Sequence, residues 1–421
     1  MIRNPLIRLL RFSERYTRTD MVYLAASGFW SNLGTLSVTA FSLALYLVFA
    51  NLLPKETFGT YQYLLSLGAL LGALTLTGMN AAVSRSVARG FHGSLQDAVR
   101  FQFAWLWLPI AAALIGSTYY WIQGNALLSM GLLIVGIGTP LINIFNTYAA
   151  FLQGKQDFKR IFFYNFGINV PFYALLILSV FFTENPVLLI LVNMVVQVIG
   201  YFAAYRMTLR TYRPDAATEP GMRSYGTHLS VMGVPGTIAY HIDTILAFHF
   251  LGPVGVAVYA FAVAVPERIS GLFKFLPAAA LPRFVNRTPE EVRDTIVRRL
   301  FFVLPILLIG AFGYALVAPY LYALLFPAYI DAIPYSQWYG LILVSVLTQI
   351  LVSVLSAHRR VRSLYAFNIA SPVSQITFQA VGVVFFGLWG LIGGRLVGAL
   401  LSFLLALTFV LRPGASSDDA R

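Results

Sequence analysis

The chain has 421 residues, 58% of them hydrophobic and 11% charged, with 29 Lys and Arg against 16 Asp and Glu and a net charge of +13. A soluble domain carries about 25% charged residues, so this inventory cannot cover a water-exposed surface. Zero cysteines exclude disulfide, haem-thiolate, iron–sulfur and cysteine-zinc chemistry.

The first predicted element, residues 1–21, carries five arginines with Leu6, Leu9 and Leu10 at helical spacing. It reads as an amphipathic segment lying on an anionic cytoplasmic leaflet. The apolar run that follows is too long for the core of a cleaved signal peptide. Twelve apolar runs then follow, each long enough to cross a hydrocarbon core about 30 Å thick. They occupy roughly residues 22–50, 58–82, 99–121, 126–152, 161–182, 186–207, 227–250, 255–282, 299–325, 334–357, 363–386 and 388–411. The expected fold is therefore an all-α polytopic membrane protein of about twelve transmembrane helices.

Connections on one side are short, such as NLLPKET, WIQGN and FFTENP, whereas those on the other are longer and basic. Of the 29 Lys and Arg, 25 fall in the N-terminus, the basic loops and the C-terminal tail; only Lys55 lies on the opposite side, and Arg268, Lys274 and Arg395 lie inside spans. Basic residues gather in cytoplasmic loops, which puts both termini in the cytoplasm and accounts for the net charge without nucleic acid.

A repeat runs through the chain. At an offset of 198 residues NLLPKETFGTYQY (51–63) aligns with HFLGPVGVAVYAF (249–261), bringing Leu53 over Leu251 and Tyr61 over Tyr259, and further on Arg85 over Arg283. At an offset of 203, LQGKQDFKRIFFYN (152–165) overlays LSAHRRVRSLYAFN (355–368). Two pseudo-symmetric six-helix lobes follow, residues 22–209 and 227–411, joined by the polar linker 210–226 and ending in a cytoplasmic tail, 412–421. Six is an even number, so both lobes enter the membrane in the same sense, an arrangement typical of alternating-access transporters. No P-loop, GxGxxG, HExxH or GxSxG pattern occurs, and the chain is not expected to be an enzyme or to need a cofactor.

The stretches LLPKETFGTYQYLLSLGALLGALTLTGMNAAVSR (52–85), AAFLQGKQDFKR (149–160), HIDTILAFHFLGPVGVAVYAFA (241–262) and LLFPAYIDAIPYSQ (324–337) resemble the multidrug/oligosaccharidyl-lipid/polysaccharide exporter superfamily. Within it they are most similar to the polysaccharide-biosynthesis branch that contains the O-antigen flippases. The resemblance implies a cavity between two lobes that carries a polyprenyl-pyrophosphate-linked oligosaccharide to the outer leaflet of a bacterial inner membrane. It also implies dealings with H+ or Na+ and with a polysaccharide polymerase and other assembly proteins. Arginine suits such a substrate because it binds phosphate oxygens through two donors.

Charges at membrane depth are costly and usually face protein or water. Six residues are candidates on this ground. Arg268, Lys274 and Arg395 are candidate anion contacts in the cavity, although Lys274 is near enough to the cytoplasmic end to snorkel. Asp243, Glu267 and His241 are candidates for ion coupling, or simply for charge pairing, with Asp243 bridging to Arg268 or Arg395. No set of residues reads as a metal site. Gly390, Gly394 and Gly398 beside Arg395 form a face for close helix packing. At the 198-residue offset Asp243, Glu267, Arg268 and Lys274 fall on Leu45, Ala69, Leu70 and Leu76, so the charges are confined to the second half. A multidrug cation antiporter of the same superfamily is the alternative, disfavoured because residues 21–51 contain no acid. A glycan polymerase or ligase would need a larger outer loop.

Overall fold

A computed structural model describes residues 21–273, 289–357 and 361–411. Every regular element among them is a helix, as lipid demands: hydrocarbon offers no partner to a backbone N–H or C=O, so each segment must satisfy its own. Nine helices among the described residues are long and apolar enough to cross a membrane. Fewer long helices than the twelve runs has a structural reason. The rods Met222–Leu272 and Val361–Leu411 each hold a glycine of positive φ, Gly252 at 73° and Gly387 at 58°, that breaks the helix in two. Only glycine takes that conformation at no steric cost.

The turn at Gly252 can be read from contacts. In a straight helix Asp243 and Tyr259 would stand about 24 Å apart at 1.5 Å per residue, yet their side chains are hydrogen-bonded at 2.6 Å. The rod is therefore a hairpin. The same holds at Gly387: a Cβ placed on Gly390 would lie 1.8 Å from the Gly382 carbonyl oxygen, so the two backbones touch. The expected glycine packing face is present, since a Cβ on Gly394 would stand 2.3 Å from the Phe378 carbonyl oxygen.

Contact density divides the chain into two compact units, one of Met1–Tyr46, Leu71–Thr183 and Val187–Val231, the other of Leu47–Leu70, Glu184–Pro186 and Met232–Arg421. This partition differs from the lobes drawn on the repeat, because residues 47–70 are grouped with the second unit.

In the first unit, Met79, Val83 and Val87 pack with Leu95, Tyr148 and Phe151 in a fully buried core. The run 58–82, expected as one continuous span, is interrupted. The helix Lys55–Ala73 ends, residues 74–78 form a turn with Leu76 at φ +58°, and the helix Met79–Ala88 resumes. Buried neutral side chains take up the carbonyls this exposes. The Gln102 amide donates to the Thr75 and Leu76 carbonyls at 3.1 and 3.2 Å. Thr147 in turn donates to Gln102 Oε1 at 3.1 Å. Asn143 Nδ2 donates to the Gly72 carbonyl at 3.1 Å and to Thr75 Oγ1 at 3.2 Å.

The linker also packs onto the first unit. Glu219 accepts from Ser86 Oγ and from Arg89 Nη1, each at 2.5 Å, and Gly93 N donates to the Ala217 carbonyl at 2.9 Å. Arg223 pairs with Asp97, and Ser230 Oγ accepts from Gly78 N at 2.9 Å.

In the second unit the two segments related by the 198-residue repeat meet. Gly59 lies so close to Pro253 that a Cβ would stand 1.8 Å from its carbonyl oxygen. Phe58 packs on Phe261 at 5.0 Å between ring centroids, and Tyr63 stacks on Phe248 at 3.8 Å. Lys55 reaches Asp331 at 2.7 Å.

Candidate functional site

Three of the charges that the sequence places at membrane depth, Asp243, Glu267 and Arg395, converge in the second unit around one guanidinium. Arg395 belongs to the second half of the Val361–Leu411 hairpin and is 7% exposed, and Asp243 on the first half of the Met222–Leu272 hairpin is 2% exposed. Arg395 Nη1 donates to Asp243 Oδ2, and also to the Tyr259 hydroxyl at 2.5 Å. Tyr259 itself donates to Asp243 Oδ2 at 2.6 Å. The other carboxylate oxygen of Asp243 accepts from Thr244 N at 2.6 Å and Thr244 Oγ1 at 3.2 Å. This half of the cluster is sealed and its hydrogen bonds are made.

The second half is more open. Arg395 Nη2 donates to Glu267 Oε1, which also accepts from the Tyr339 hydroxyl at 3.1 Å. The Glu267 side chain is 30% exposed, against 9% for Arg395 and 3% for Asp243. The Tyr240 and Tyr339 rings flank the guanidinium at 5.9 and 5.3 Å from their centroids, close enough for their π faces to favour the cation. An arginine left unpaired here would be strongly destabilising, whereas one shared by two carboxylates and braced by tyrosines can be held.

Of the six candidates, Asp243, Glu267 and Arg395 are therefore brought together. Arg395 takes Asp243 as its partner, one of the two pairings the sequence left open, and its guanidinium is committed to carboxylates. Arg268 is half-buried and donates from Nη1 to the Ala264 carbonyl one turn back at 3.0 Å. His241 is half-buried two residues before Asp243, its ring edge-on to Tyr240 at 4.9 Å. Lys274 lies outside the described residues. No group of three or more His, Asp or Glu among the described residues is placed to hold a metal ion.

The sequence reading missed Tyr240, Tyr259 and Tyr339. Tyr259 was visible only as the repeat partner of Tyr61, and nothing local to SQWYG marks Tyr339 as a ligand of a charge 56 residues on. Both hydroxyls are recruited by the fold rather than by a motif.

A solved structure described as the inward-facing conformation of a multidrug resistance MATE family transporter of the MOP superfamily superposes with a TM-score of 0.72 at 15% identity, over 90% of this chain and 96% of that one. Its outward-facing counterpart gives 0.58 at 18% identity, over 93% and 95%. The lipid II flippase MurJ in an inward closed conformation gives 0.60 at 13% identity, over 91% and 87%. At these identities the likeness is one of fold. A search of curated proteins by sequence found no match. The profile of the family described as polysaccharide biosynthesis protein, however, matches residues 24–286, more than half of the chain, and the chain belongs to that family.

Proposed function

We propose that this protein is a flippase that moves a polyprenyl-pyrophosphate-linked oligosaccharide from the cytoplasmic to the outer leaflet of a bacterial inner membrane, by alternating access of two six-helix lobes. The observation that carries the reading is the pair of arginines, Arg395 and Arg268, at membrane depth in a member of a polysaccharide-biosynthesis family. A pyrophosphate crossing hydrocarbon needs fixed cations along its way, and guanidinium groups supply paired donors for its oxygens. Asp243 and Glu267 take up the charge of Arg395, but a cationic drug would meet repulsion from Arg268, and this disfavours the multidrug antiporter. The clustering of Asp243 and Glu267 on Arg395, with His241 nearby, supports coupling to protons, since protonating a carboxylate there changes the charge the cluster carries. Supply of substrate and its consumption by a polymerase on the outer side belong to the same reading.

The test is transbilayer movement of a fluorescent short-chain polyprenyl-pyrophosphoryl oligosaccharide in proteoliposomes, read by protection from a membrane-impermeant quencher. The expected result is protein-dependent movement that Arg268→Ala slows at unchanged folded fraction. Efflux of cationic dyes with no movement of the lipid-linked glycan would overturn the reading in favour of a drug antiporter.

A further inference from the structure

Two carboxylates share one guanidinium here, and they are not equivalent. Asp243 is sealed, bound through both oxygens to Thr244, Tyr259 and Arg395. Glu267 touches Arg395 and Tyr339 through a single oxygen, Oε1, and is the open member of the three. With both acids ionised the trio carries one net negative charge, and Arg395 can receive a further anion only when one acid takes a proton or leaves. The member free to do so is Glu267, the more exposed of the two acids, which is held through Oε1 to Arg395 and Tyr339.

We propose that Glu267 is an internal stand-in for the substrate's phosphate: it occupies Arg395 Nη2 and, once protonated, yields that donor to a pyrophosphate oxygen. This rests on the flippase reading above and names the exchange through which that site takes its anion. The proton goes to a Glu267 carboxylate oxygen, no covalent bond of the substrate changes, and Asp243 keeps Arg395 Nη1 throughout. The neutral acid stays hydrogen-bonded to Tyr339, which stops it from re-pairing while the anion is present. Arg268, next in sequence to Glu267, adds positive charge beside the incoming dianion. The groups that bear on Glu267 are Asp243, His241, Tyr240, Tyr259 and Arg268 from its own hairpin, Tyr339 from the helix Ile333–Tyr339, and Arg395 from the Val361–Leu411 rod. Of these, His241 is the side chain whose ordinary titration falls near neutrality.

Binding of a short-chain isoprenyl-pyrophosphoryl-N-acetylhexosamine to the full-length protein in detergent, measured by calorimetry from acidic to alkaline pH, tests the exchange. This probe is a pyrophosphate diester and does not itself titrate there. Wild type is expected to bind more tightly as pH falls. Glu267→Gln, which cannot carry the competing charge, is expected to bind about tenfold more tightly at the alkaline end and to lose the pH dependence. His241→Gln is expected to keep it. Glu267→Ala, which removes the side chain altogether, should also bind tightly and independently of pH, and it guards against a glutamine that still occupies Nη2. A wild-type pH profile in both Glu267 variants, or a profile abolished by His241→Gln, overturns the proposal. Wild-type flipping in proteoliposomes alongside either result would leave the flippase reading standing, whereas no flipping by the wild type would remove that reading first.

Discussion

Both units place buried polar groups at membrane depth, but they use opposite chemistry. In the first, Gln102, Thr147, Asn143 and Thr75 are all neutral, and they serve a local backbone need, the carbonyls released where the helix stops at residues 74–78. In the second, Asp243, Glu267 and Arg395 are charged and repair no break; their partners are one another, the tyrosines and Thr244. Amide and hydroxyl groups hold one arrangement at modest cost, while a carboxylate can change charge where it stands. On the proposed function, the first set is framework and the second is the part that responds.

That division can be broken in several places. The largest expected effect is from Arg395→Ala, which leaves two carboxylates without their cation. Removing one partner of a buried pair costs about 3–5 kcal/mol, so chemical denaturation in detergent should show a large loss of stability together with loss of flipping. Gly390→Val comes next, because its side chain would enter the Gly382 backbone. Overpacking of this kind costs about 1–3 kcal/mol or more, and a lowered thermal midpoint with reduced folded yield should report it. Gln102→Leu deprives two buried carbonyls of their donor, for about 1–3 kcal/mol. Here stability should fall while flipping per folded molecule is kept. Flipping lost from well-folded Gln102→Leu protein would end the assignment of framework to one unit and response to the other.

The smallest effect belongs to the linker. Glu219 is held below the ordinary carboxylate value, chiefly by the Ser86 hydroxyl and further by Arg89 and Arg85. A depressed carboxylate contributes stability that is present above its unfolded value and lost as pH falls through the lowered one. Protease cutting within residues 213–221 should therefore rise on acidification through that range. Glu219→Gln should raise cutting at neutral pH and cost no more than about 1 kcal/mol, as expected of a solvent-screened pair.

The helical class was legible because it rests on composition and run length, which no tertiary detail can reverse. The Asp243–Arg395 pairing was legible as one of two options, since few charges at that depth were available to choose from. The break at residues 74–78 was not. LTLTGM has no proline and reads as apolar helix; the turn is stabilised by Gln102 and Asn143, whose contacts lie 26 to 71 residues along the chain. The joins within two pairs of runs were legible too: the runs end at 250 and 386 and resume at 255 and 388, and Gly252 and Gly387, each at a positive φ, make the turns at these places.

The glycine contacts around Gly390 and Gly394 also limit how the arginine between Gly394 and Leu396 can travel. Gly390 and Gly394 are pressed against the Gly382 and Phe378 peptide groups with no side chain in between, so rotation of that helix would drive side chains into main chain. Arg395 is thereby a fixed reference point at one depth in the membrane. On the proposed function, ionisation and ligand exchange fall to the groups that surround it, and an arginine that cannot follow a ligand toward either face is suited to release one.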